Sequence, residues 1–181
     1  MKAKTIGLGF ALVAIIVCNA TVSLAAAEFY VAVTGAMQGP FKGEVVNRKG
    51  FEGKIAGLSF DYELVSPRDA VSGMATGKRQ HKPVRIKKAW GAASAQFFTA
   101  LIRNESLSIV MDFLAPDPSG MMVLDHTIKL TNAAVASFKS HSDSDVNPTA
   151  PPTDIIELVF QQIEITDHRS KQIVGDSWMA P

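Results

Sequence analysis

The stretch SPRDAVSGMATGKRQHKPVRIKKAWGAASAQFFTALIRNE, from Ser66 to Glu105, carries the strongest signals in this chain. Turn-forming residues fill its first part, and the segment from Lys78 to Lys88 contains six Lys or Arg together with His81. Such a combination is typical of a phosphate-binding loop, a nucleic-acid-binding arm or an exposed loop that another protein surface recognises. The rest of the sequence has to separate these alternatives.

The spacing within the segment GMATGKR excludes a phosphate-binding loop. Such a loop follows the pattern G-x-x-x-x-G-K-S/T, whereas Gly73 and Gly77 stand one residue too close and Arg79 occupies the hydroxyl position. The segment also does not open a helix, which would supply the amides that hold a phosphate. Binding of a single nucleic-acid strand needs aromatic residues among the charges, and there are none from Ser66 to Lys88. Recognition of another protein surface is the alternative that remains.

The N-terminus has the order of features of a secretory signal peptide. A basic start at Met1 is followed by an apolar run, and small residues at Ala25 and Ala27 precede Glu28. This pattern predicts a signal peptide over residues 1–27, with cleavage after Ala27. The apolar run is shorter than the roughly 20 residues that span a bilayer, which disfavours a membrane anchor. We therefore expect an exported protein, periplasmic or extracellular, with no membrane attachment after cleavage.

The mature chain, residues 28–181, is predicted to be a single domain that folds on its core alone. Its length suits one hydrophobic core. The one cysteine, Cys18, falls within the predicted leader, so the mature chain has no disulfide to stabilise it outside the cell. Without Lys2 and Lys4, the 18 Lys and Arg fall to 16, against 17 Asp and Glu. This near balance does not indicate a dedicated nucleic-acid binder.

Alternation of apolar and polar residues predicts antiparallel strands along most of the mature chain. A change of phase after Phe160, towards Ile163 and Ile165, predicts a β-bulge near Gln161–Gln162. The predicted apolar faces are Phe29, Val31 and Val33; Leu58, Phe60, Tyr62 and Leu64; Val84 and Ile86; Leu107, Ile109, Met111 and Phe113; Leu124, His126, Ile128 and Leu130; and Ile156, Leu158 and Phe160.

One segment, Ser94 to about Arg103, has helical spacing, and Ser94 is predicted to be its N-cap. Its predicted apolar side consists of Phe97, Phe98, Leu101 and Ile102. Two stretches rich in Gly, Pro and polar residues, Gly35–Gly53 and His141–Thr153, are predicted loops. Many short strands with one helix favour a β-barrel or sandwich with the helix packed on its side or end.

The sequence contains no convincing catalytic or metal-binding group. His126 lies on an apolar strand face, where a core histidine is expected rather than a ligand. His141, Asp143 and Asp145 form a polar cluster that we interpret as a solvated loop, and no serine stands in a nucleophile elbow. We therefore expect no cofactor and no metal, and the hypothesis of a secreted enzyme lacks a supporting motif.

Several motifs closely resemble the Hcp family, the haemolysin-coregulated tube proteins of bacterial type VI secretion. The similarity covers nearly the whole mature chain and is most specific between Arg68 and Pro83. Further along, Thr127–Phe138 and Ile155–Thr166 resemble two strands of the family, and GDSWMAP resembles its D-D-W ending. The matching motifs in the opening stretch are Arg68-Asp69, Gly73, Ala75–Pro83, Trp90-Gly91, Ala93–Gln96 and Asn104-Glu105.

The resemblance implies a small antiparallel β-barrel flanked by one helix, assembling into hexameric rings that stack into a tube. The tube's lumen carries small effectors in this family. The stretch Ser66–Pro83 would be an extended loop that reaches neighbouring copies of the same chain. The resemblance thus implies an assembly loop that includes Arg68, Asp69, Lys78, Arg79, Gln80, His81 and Lys82.

The predicted leader departs from the family, whose members begin at a strand like EFYVAVTGAMQG and are loaded from the cytoplasm. A subunit exported as an unfolded chain could not join a cytoplasmic tube. A second hypothesis therefore stands beside the first: an exported, non-enzymatic binding or adhesin-like protein that uses the same fold outside a secretion tube.

Overall fold

The computed structural model describes residues 28–142 and 151–178, which contain eleven strands and one helix. The predicted leader, Asp143 and Asp145 lie outside the described residues. Within that part, no helix has the length and hydrophobicity to cross a membrane. The elements are β1 (Glu28–Gly35), β2 (Gly39–Pro40), β3 (Ile55–Asp61), β4 (Leu64–Val65), β5 (Gln80–His81), β6 (Val84–Ala89), α1 (Ala92–Arg103), β7 (Leu107–Pro116), β8 (Met122–His141), β9 (Thr153–Val159), β10 (Gln162–Asp167) and β11 (Gln172–Ser177).

Six strands close into an antiparallel barrel in the order β1-β3-β6-β9-β8-β7. Closure depends on the length of β8, which has 20 residues. Its C-terminal half pairs with β9, while its N-terminal half pairs with β10. The β10–β11 hairpin therefore extends the sheet outside the barrel. The predicted mainly β fold, a small barrel with one helix, is confirmed.

The barrel core is built from the alternating apolar residues of its strands, as predicted for β1, β6 and β7. Phe29 stacks on Phe113 with ring centroids 5.0 Å apart and meets Phe60 edge to face at 6.2 Å. The fully buried side chains include Val31, Ile55, Ile86, Leu107, Ile109, Met111, Leu130, Ile156 and Leu158. This continuous cluster accounts for most of the hydrophobic stabilisation.

The predicted apolar face of β3 is only partly correct. A register shift between Gly57 and Ser59 turns Leu58 outward, where its side chain is exposed. Leu64, in the short strand β4, is also exposed, whereas Phe60 and Tyr62 pack against the core. A bulge displaces one residue from the alternation, and the position of that bulge is not encoded in the pattern itself.

The phase change predicted near Gln161–Gln162 is present, but the proposed bulge is wrong. The register between β8 and the β9–β10 segment is the same on both sides of this point. No extra residue is therefore inserted, because both strands change phase together. On β8 this happens at Asn132, which has a φ of 49°; its side chain donates to Oε1 of Gln161 at 3.0 Å.

Helix α1 begins two residues earlier than predicted, and Ser94 is not its N-cap. Gly91 occupies that position, and its N–H donates to Oγ of Ser94 at 3.0 Å. The buried side consists of Ala93, Ser94, Phe97 and Ala100. The predicted apolar side is thus wrong for Phe98 and Ile102, which are exposed. At about 100° per residue, Ala100 lies about 60° to one side of the buried Phe97, whereas Phe98 lies about 100° to the other side and therefore faces outward.

Candidate assembly arm

The stretch between β3 and β6 forms a hairpin that stands away from the barrel. Its base is the β4–β5 pair, in which Leu64 faces His81 and Val65 faces Gln80. An isolated bridge between Arg68 and Ala75 continues the pairing towards the tip. Every residue from 68 to 80 is exposed. We call residues 62–82 the arm.

Hydrogen bonds within the hairpin order the tip of the arm. Oδ1 of Asp69 accepts the backbone N–H groups of Val71 at 3.2 Å and Ser72 at 2.8 Å, and the Ser72 hydroxyl at 2.8 Å. The bonds from Ser72, followed by that from Val71, hold the pKa of Asp69 below its ordinary value. Gly73 completes the turn with a φ of 69°, a conformation that favours glycine. The tip is therefore held in one shape while its side chains remain exposed.

The base of the arm is bound to β11 by an ionic and aromatic network. The hydroxyl of Tyr62 lies 2.6 Å from Nδ1 of His81, and Nε2 of His81 lies 3.1 Å from Oδ2 of Asp176. The guanidinium of Arg79 donates to both carboxylate oxygens of Asp176. The ring of His81 packs 5.5 Å from that of Trp178. The arm is thus fixed at its base and unsupported along its length.

The network changes the protonation equilibria of two of its members. The hydrogen bond from Arg79 is the main cause that holds the pKa of Asp176 far below its ordinary value, and it outweighs the opposing effect of burial. Burial, together with the charge of Asp176, raises the pKa of Tyr62. Asp176 therefore remains ionised at every physiological pH and serves as a permanent anion at the base of the arm.

The structure places the seven predicted arm residues in two different environments. Arg68 and Asp69 lie at the tip, and Lys78, Gln80 and Lys82 are exposed along the hairpin. Arg79 and His81 come together on Asp176 of the same chain. Those two therefore fix the direction of the arm.

Sequence reasoning missed Tyr62, Asp176 and Trp178 as members of this network. Tyr62 was predicted only as part of a strand face, and the GDSW segment only as a C-terminal motif. The contacts join residues that are up to 97 positions apart, and a single sequence gives no local signal for such pairs.

Between the arm base and β11 lies a cleft of about 430 Å³, lined in part by Thr76, Lys78 and Trp178.

Lys88 belongs to the basic run of the opening stretch but lies away from the arm, with 1% of its surface exposed. His126 stacks on the ring of Phe113 at 4.4 Å, but 36% of its side chain is exposed and it pairs with Asp125, so it lies at the edge of the core rather than within it as predicted. The described residues contain no group of three or more His, Cys, Asp or Glu arranged to hold a metal ion.

Glu105 connects the end of the helix to the first turn of the barrel. Its Oε1 accepts the N–H groups of Met37 at 2.6 Å and Gln38 at 2.7 Å, and its Oε2 accepts the Gln38 side chain at 2.6 Å. Burial pushes the pKa of Glu105 upward, but the bonds from Gln38 and Met37 outweigh it and hold the pKa below its ordinary value. Glu105 is therefore a structural carboxylate, and it belongs to the Asn104-Glu105 motif singled out in the sequence.

A family model described as "Type VI secretion system effector, Hcp" matches residues 30–166. The chain belongs to the Hcp family. The match begins inside β1, so the predicted leader lies outside it. Among curated proteins, the "Major exported protein" of Pseudomonas aeruginosa strain PAO1 is 28% identical over 164 residues, which cover 84% of this chain and 95% of the relative.

Solved Hcp structures share the fold of this chain. A protein described as Hcp protein superposes with a TM-score of 0.76 at 18% identity, covering 84% of this chain and all of the other. Hcp1 from E. coli EAEC 042 gives 0.74 at 23% identity, with coverages of 84% and 99%. The secreted protein Hcp3 from Pseudomonas aeruginosa gives 0.71 at 21% identity, with coverages of 86% and 100%. The Hcp barrel fold is therefore common to these chains.

Proposed function

We propose that this chain is a ring-forming tube subunit of a type VI secretion system, whose rings stack and hold small secreted proteins in their lumen. Membership of the Hcp family supports the assignment. The assembly role rests on the exposure of the arm. Residues 68–80 are all exposed, although hydrogen bonds to Asp69 order the tip and Asp176 anchors the base. An ordered hairpin without cover from its own chain is suited to contact with another copy.

The charges of the arm are arranged to act between subunits. Asp176 already neutralises Arg79 within the chain, whereas Lys78 and Lys82 extend the positive charge along the exposed hairpin. Opposite charges on two partners fix register and orientation, and head-to-tail contacts between identical subunits generate closed rings when the rotation closes. We propose that the arm of one subunit meets an acidic surface of the next.

The N-terminal pattern supports a second proposal about location. Residues 1–27 are proposed to be a signal peptide, and residues 28–181 the single mature domain, delivered outside the cytoplasm. A relative named major exported protein is consistent with export. If the leader is used, the favoured role changes to an exported, non-enzymatic binding or adhesin-like ring protein outside the secretion tube. The described residues offer no catalytic constellation to support an enzyme.

The assembly role is tested with a charge-reversed arm, Lys78→Glu with Lys82→Glu. A matched control, Lys49→Glu with Lys139→Glu, changes the same charge at exposed positions outside the arm. Both variants should keep the circular dichroism of the parent, because exposed substitutions usually change stability by less than about 0.5 kcal/mol. Light scattering should find the parent and the control assembled and the arm variant smaller, since like charges across an interface cost several kcal/mol.

Two results would count against the proposal. If the parent is monomeric at high concentration and low salt, the proposal of ring assembly is wrong. An arm variant that assembles like the parent at both low and raised salt would leave the ring but reduce the arm to a solvated loop.

A further inference from the structure

A buried charged cluster lies between β6, β9 and the start of α1, away from the arm. Lys88 is 1% exposed and Asp154 is fully buried. The two residues are direct cross-strand partners in the pairing of β6 with β9, so their side chains project from the same face of the sheet. Glu44 and Ser94 complete the cluster.

The contacts within the cluster do not form a well-matched ion pair. Nζ of Lys88 donates to the backbone oxygen of Ala89 at 2.6 Å and to Oγ of Ser94 at 3.1 Å. It lies 3.6 Å from Oδ2 of Asp154 and 3.7 Å from Oε1 of Glu44. Ser94 donates its hydroxyl to Oδ2 of Asp154. Oδ1 of Asp154 has no hydrogen-bond partner among the described residues.

Such an arrangement is costly if it remains ionic. A buried ion pair compensates for the loss of hydration only when its geometry is good and its remaining polar atoms are satisfied. Here the amine and the carboxylate are beyond hydrogen-bond distance, and one carboxylate oxygen is unsatisfied. Because Lys88 and Asp154 are closed to solvent, no external substrate reaches them. The chemistry open to this cluster is therefore between its own groups.

We propose that Lys88 and Asp154 become joined by an amide bond after the barrel has folded. A proton passes from Nζ of Lys88 to a carboxylate, and the freed amine attacks Cγ of Asp154. The Nζ–Cγ bond forms, one C–O bond of the carboxyl breaks, and that oxygen leaves as water with two protons from the amine. An ammonium and a carboxylate thus give an amide and water, with no oxidant, no cofactor and no change in net charge.

The fold supplies the conditions that this condensation requires. Strand pairing holds the two groups together, which makes the reaction effectively unimolecular. Nζ of Lys88 lies 3.6 Å from Oδ2 of Asp154, so a small movement of the side chains has to bring Nζ to Cγ, since attack requires reacting atoms about 3–3.5 Å apart. Burial penalises isolated charges, and the condensation removes both the ammonium and the carboxylate. The carboxylate of Glu44, 3.7 Å from Nζ of Lys88 and with 40% of its side chain exposed, is the second carboxylate of the cluster and the group proposed to accept the proton from the amine.

The glycine at position 91 leaves space for the carboxylate of Glu44 beside Lys88. A Cβ atom on Gly91 would lie 1.9 Å from Oε1 of Glu44, so any other residue at position 91 would displace the carboxylate. A covalent bond in this cluster would also compensate for the lack of a disulfide. With its one cysteine at position 18, the mature protein has no disulfide, and an amide between β6 and β9 would restrict the unfolded chain as a disulfide does.

The test is peptide mapping of the folded, purified full chain, denatured, digested with trypsin and analysed by mass spectrometry. The expected product joins residues 88–103 to residues 140–169 and is lighter than the two peptides together by one water. Trypsin does not cleave after an acylated lysine, so the uncut Lys88–Ala89 bond is a second signature. Lys88→Arg should abolish the joined peptide, whereas the neighbouring change Lys87→Arg should retain it.

Glu44→Gln tests the proton relay, because it keeps the shape of the side chain and removes its basicity. We expect a larger unlinked fraction that converts to the joined peptide more slowly on incubation. A folded parent that yields only the unlinked peptides, residues 89–103 and 140–169 at full mass, would overturn the proposal and leave the pair ionic. Equal linkage in the parent and in Glu44→Gln would overturn the role of Glu44. If Lys88→Arg fails to fold, the digest of the parent still decides.

Discussion

His81 and Asp176 are 95 positions apart in the chain, yet Nε2 of His81 lies 3.1 Å from Oδ2 of Asp176. The contact binds the last residue of β5 to β11, and Arg79 strengthens it with a two-point hydrogen bond to the same carboxylate. The direction in which the arm leaves the barrel is therefore determined by the C-terminal hairpin. A change in that hairpin would act on the arm without altering any arm residue.

Asp176→Asn should loosen the arm and leave the barrel intact. The amide cannot neutralise Arg79, so backbone amides in β4 and β5 should exchange hydrogen faster while those in β1 and β7 keep their protection. Asp61→Asn, at an exposed position close to the arm, is the matched control. Hydrogen exchange followed by mass spectrometry measures both. Unchanged exchange at the arm base in Asp176→Asn would show that the aromatic contacts alone hold it.

The same contact should respond to acid with a defined sign. Because the pKa of Asp176 is depressed in the folded protein, its stabilising contribution is present above the ordinary aspartate pKa of about 3.9 and is lost as the pH falls below it. Arm exchange, corrected for its intrinsic pH dependence, should therefore accelerate in the parent below about pH 4. The variant Asp176→Asn should lack this acceleration, and a parallel response of both proteins would contradict the assignment.

The strand faces were predictable because alternation is a local property. The apolar residues of β1, β6 and β7 repeat every second position, and each of these strands has one face in the core. The pattern fails where geometry departs from regular alternation, as at Leu58 beside the bulge. The N-cap prediction for Ser94 fails for a different reason. Serine is favoured at N-caps, but it also occurs one turn later, at N3, where it bonds back to the N-cap.

The candidate site was predictable only in part, since its key contacts are long-range. The exposed hairpin followed from its turn formers and charge, and its likeness to Hcp proteins named its role. Asp176 lies far along the chain, so the anchoring of Arg79 could not be foreseen. Lys88 continues the inward alternation of Val84 and Ile86, but a single sequence does not show that Asp154 lies opposite it. Its burial depends on Asp154 from another strand.

Glu105→Gln should destabilise the fold by about 1–3 kcal/mol, the usual cost of leaving buried polar groups unsatisfied. The carboxylate accepts three hydrogen bonds from Met37 and Gln38, and an amide in its place would set one donor against another. Urea unfolding should show a lower midpoint with an unchanged slope. Glu164→Gln, at an exposed position of β10, should change the midpoint little. Equal midpoints for the two variants would contradict the structural role.

Gly57→Ala should destabilise the barrel by about 1–3 kcal/mol through overpacking. A Cβ atom there would lie 2.0 Å from the ring of Phe29, which is held between Phe60 and Phe113 and has no space to retreat. Gly77→Ala is the matched control, because the nearest atom to its Cβ would be in Pro67 at 3.9 Å. Thermal unfolding of the two variants gives the comparison. A tolerated Gly57→Ala would mean that the Phe29 ring is free to move.

The proposed leader should leave a mature protein that begins at Glu28. The prediction follows from the basic start, the apolar run and the small residues at Ala25 and Ala27. N-terminal sequencing of protein recovered from the producing cells, separated into cytoplasmic and exported fractions, is the measurement. Ala27→Leu, which spoils the cleavage site, should slow processing. A folded cytosolic protein with Met1 intact would restore the simple tube subunit.

The division of β8 between two partners determines how a mechanical load would travel through the molecule. A pull on the arm enters the barrel through the covalent connections to β3 and β6, and also through Asp176 into β11 and β10. From β10 the load passes to the N-terminal half of β8, while β6 passes its share through β9 to the C-terminal half. Both branches end on the same strand, so tension on the arm is spread along β8 from His126 to His141 rather than concentrated on one hairpin.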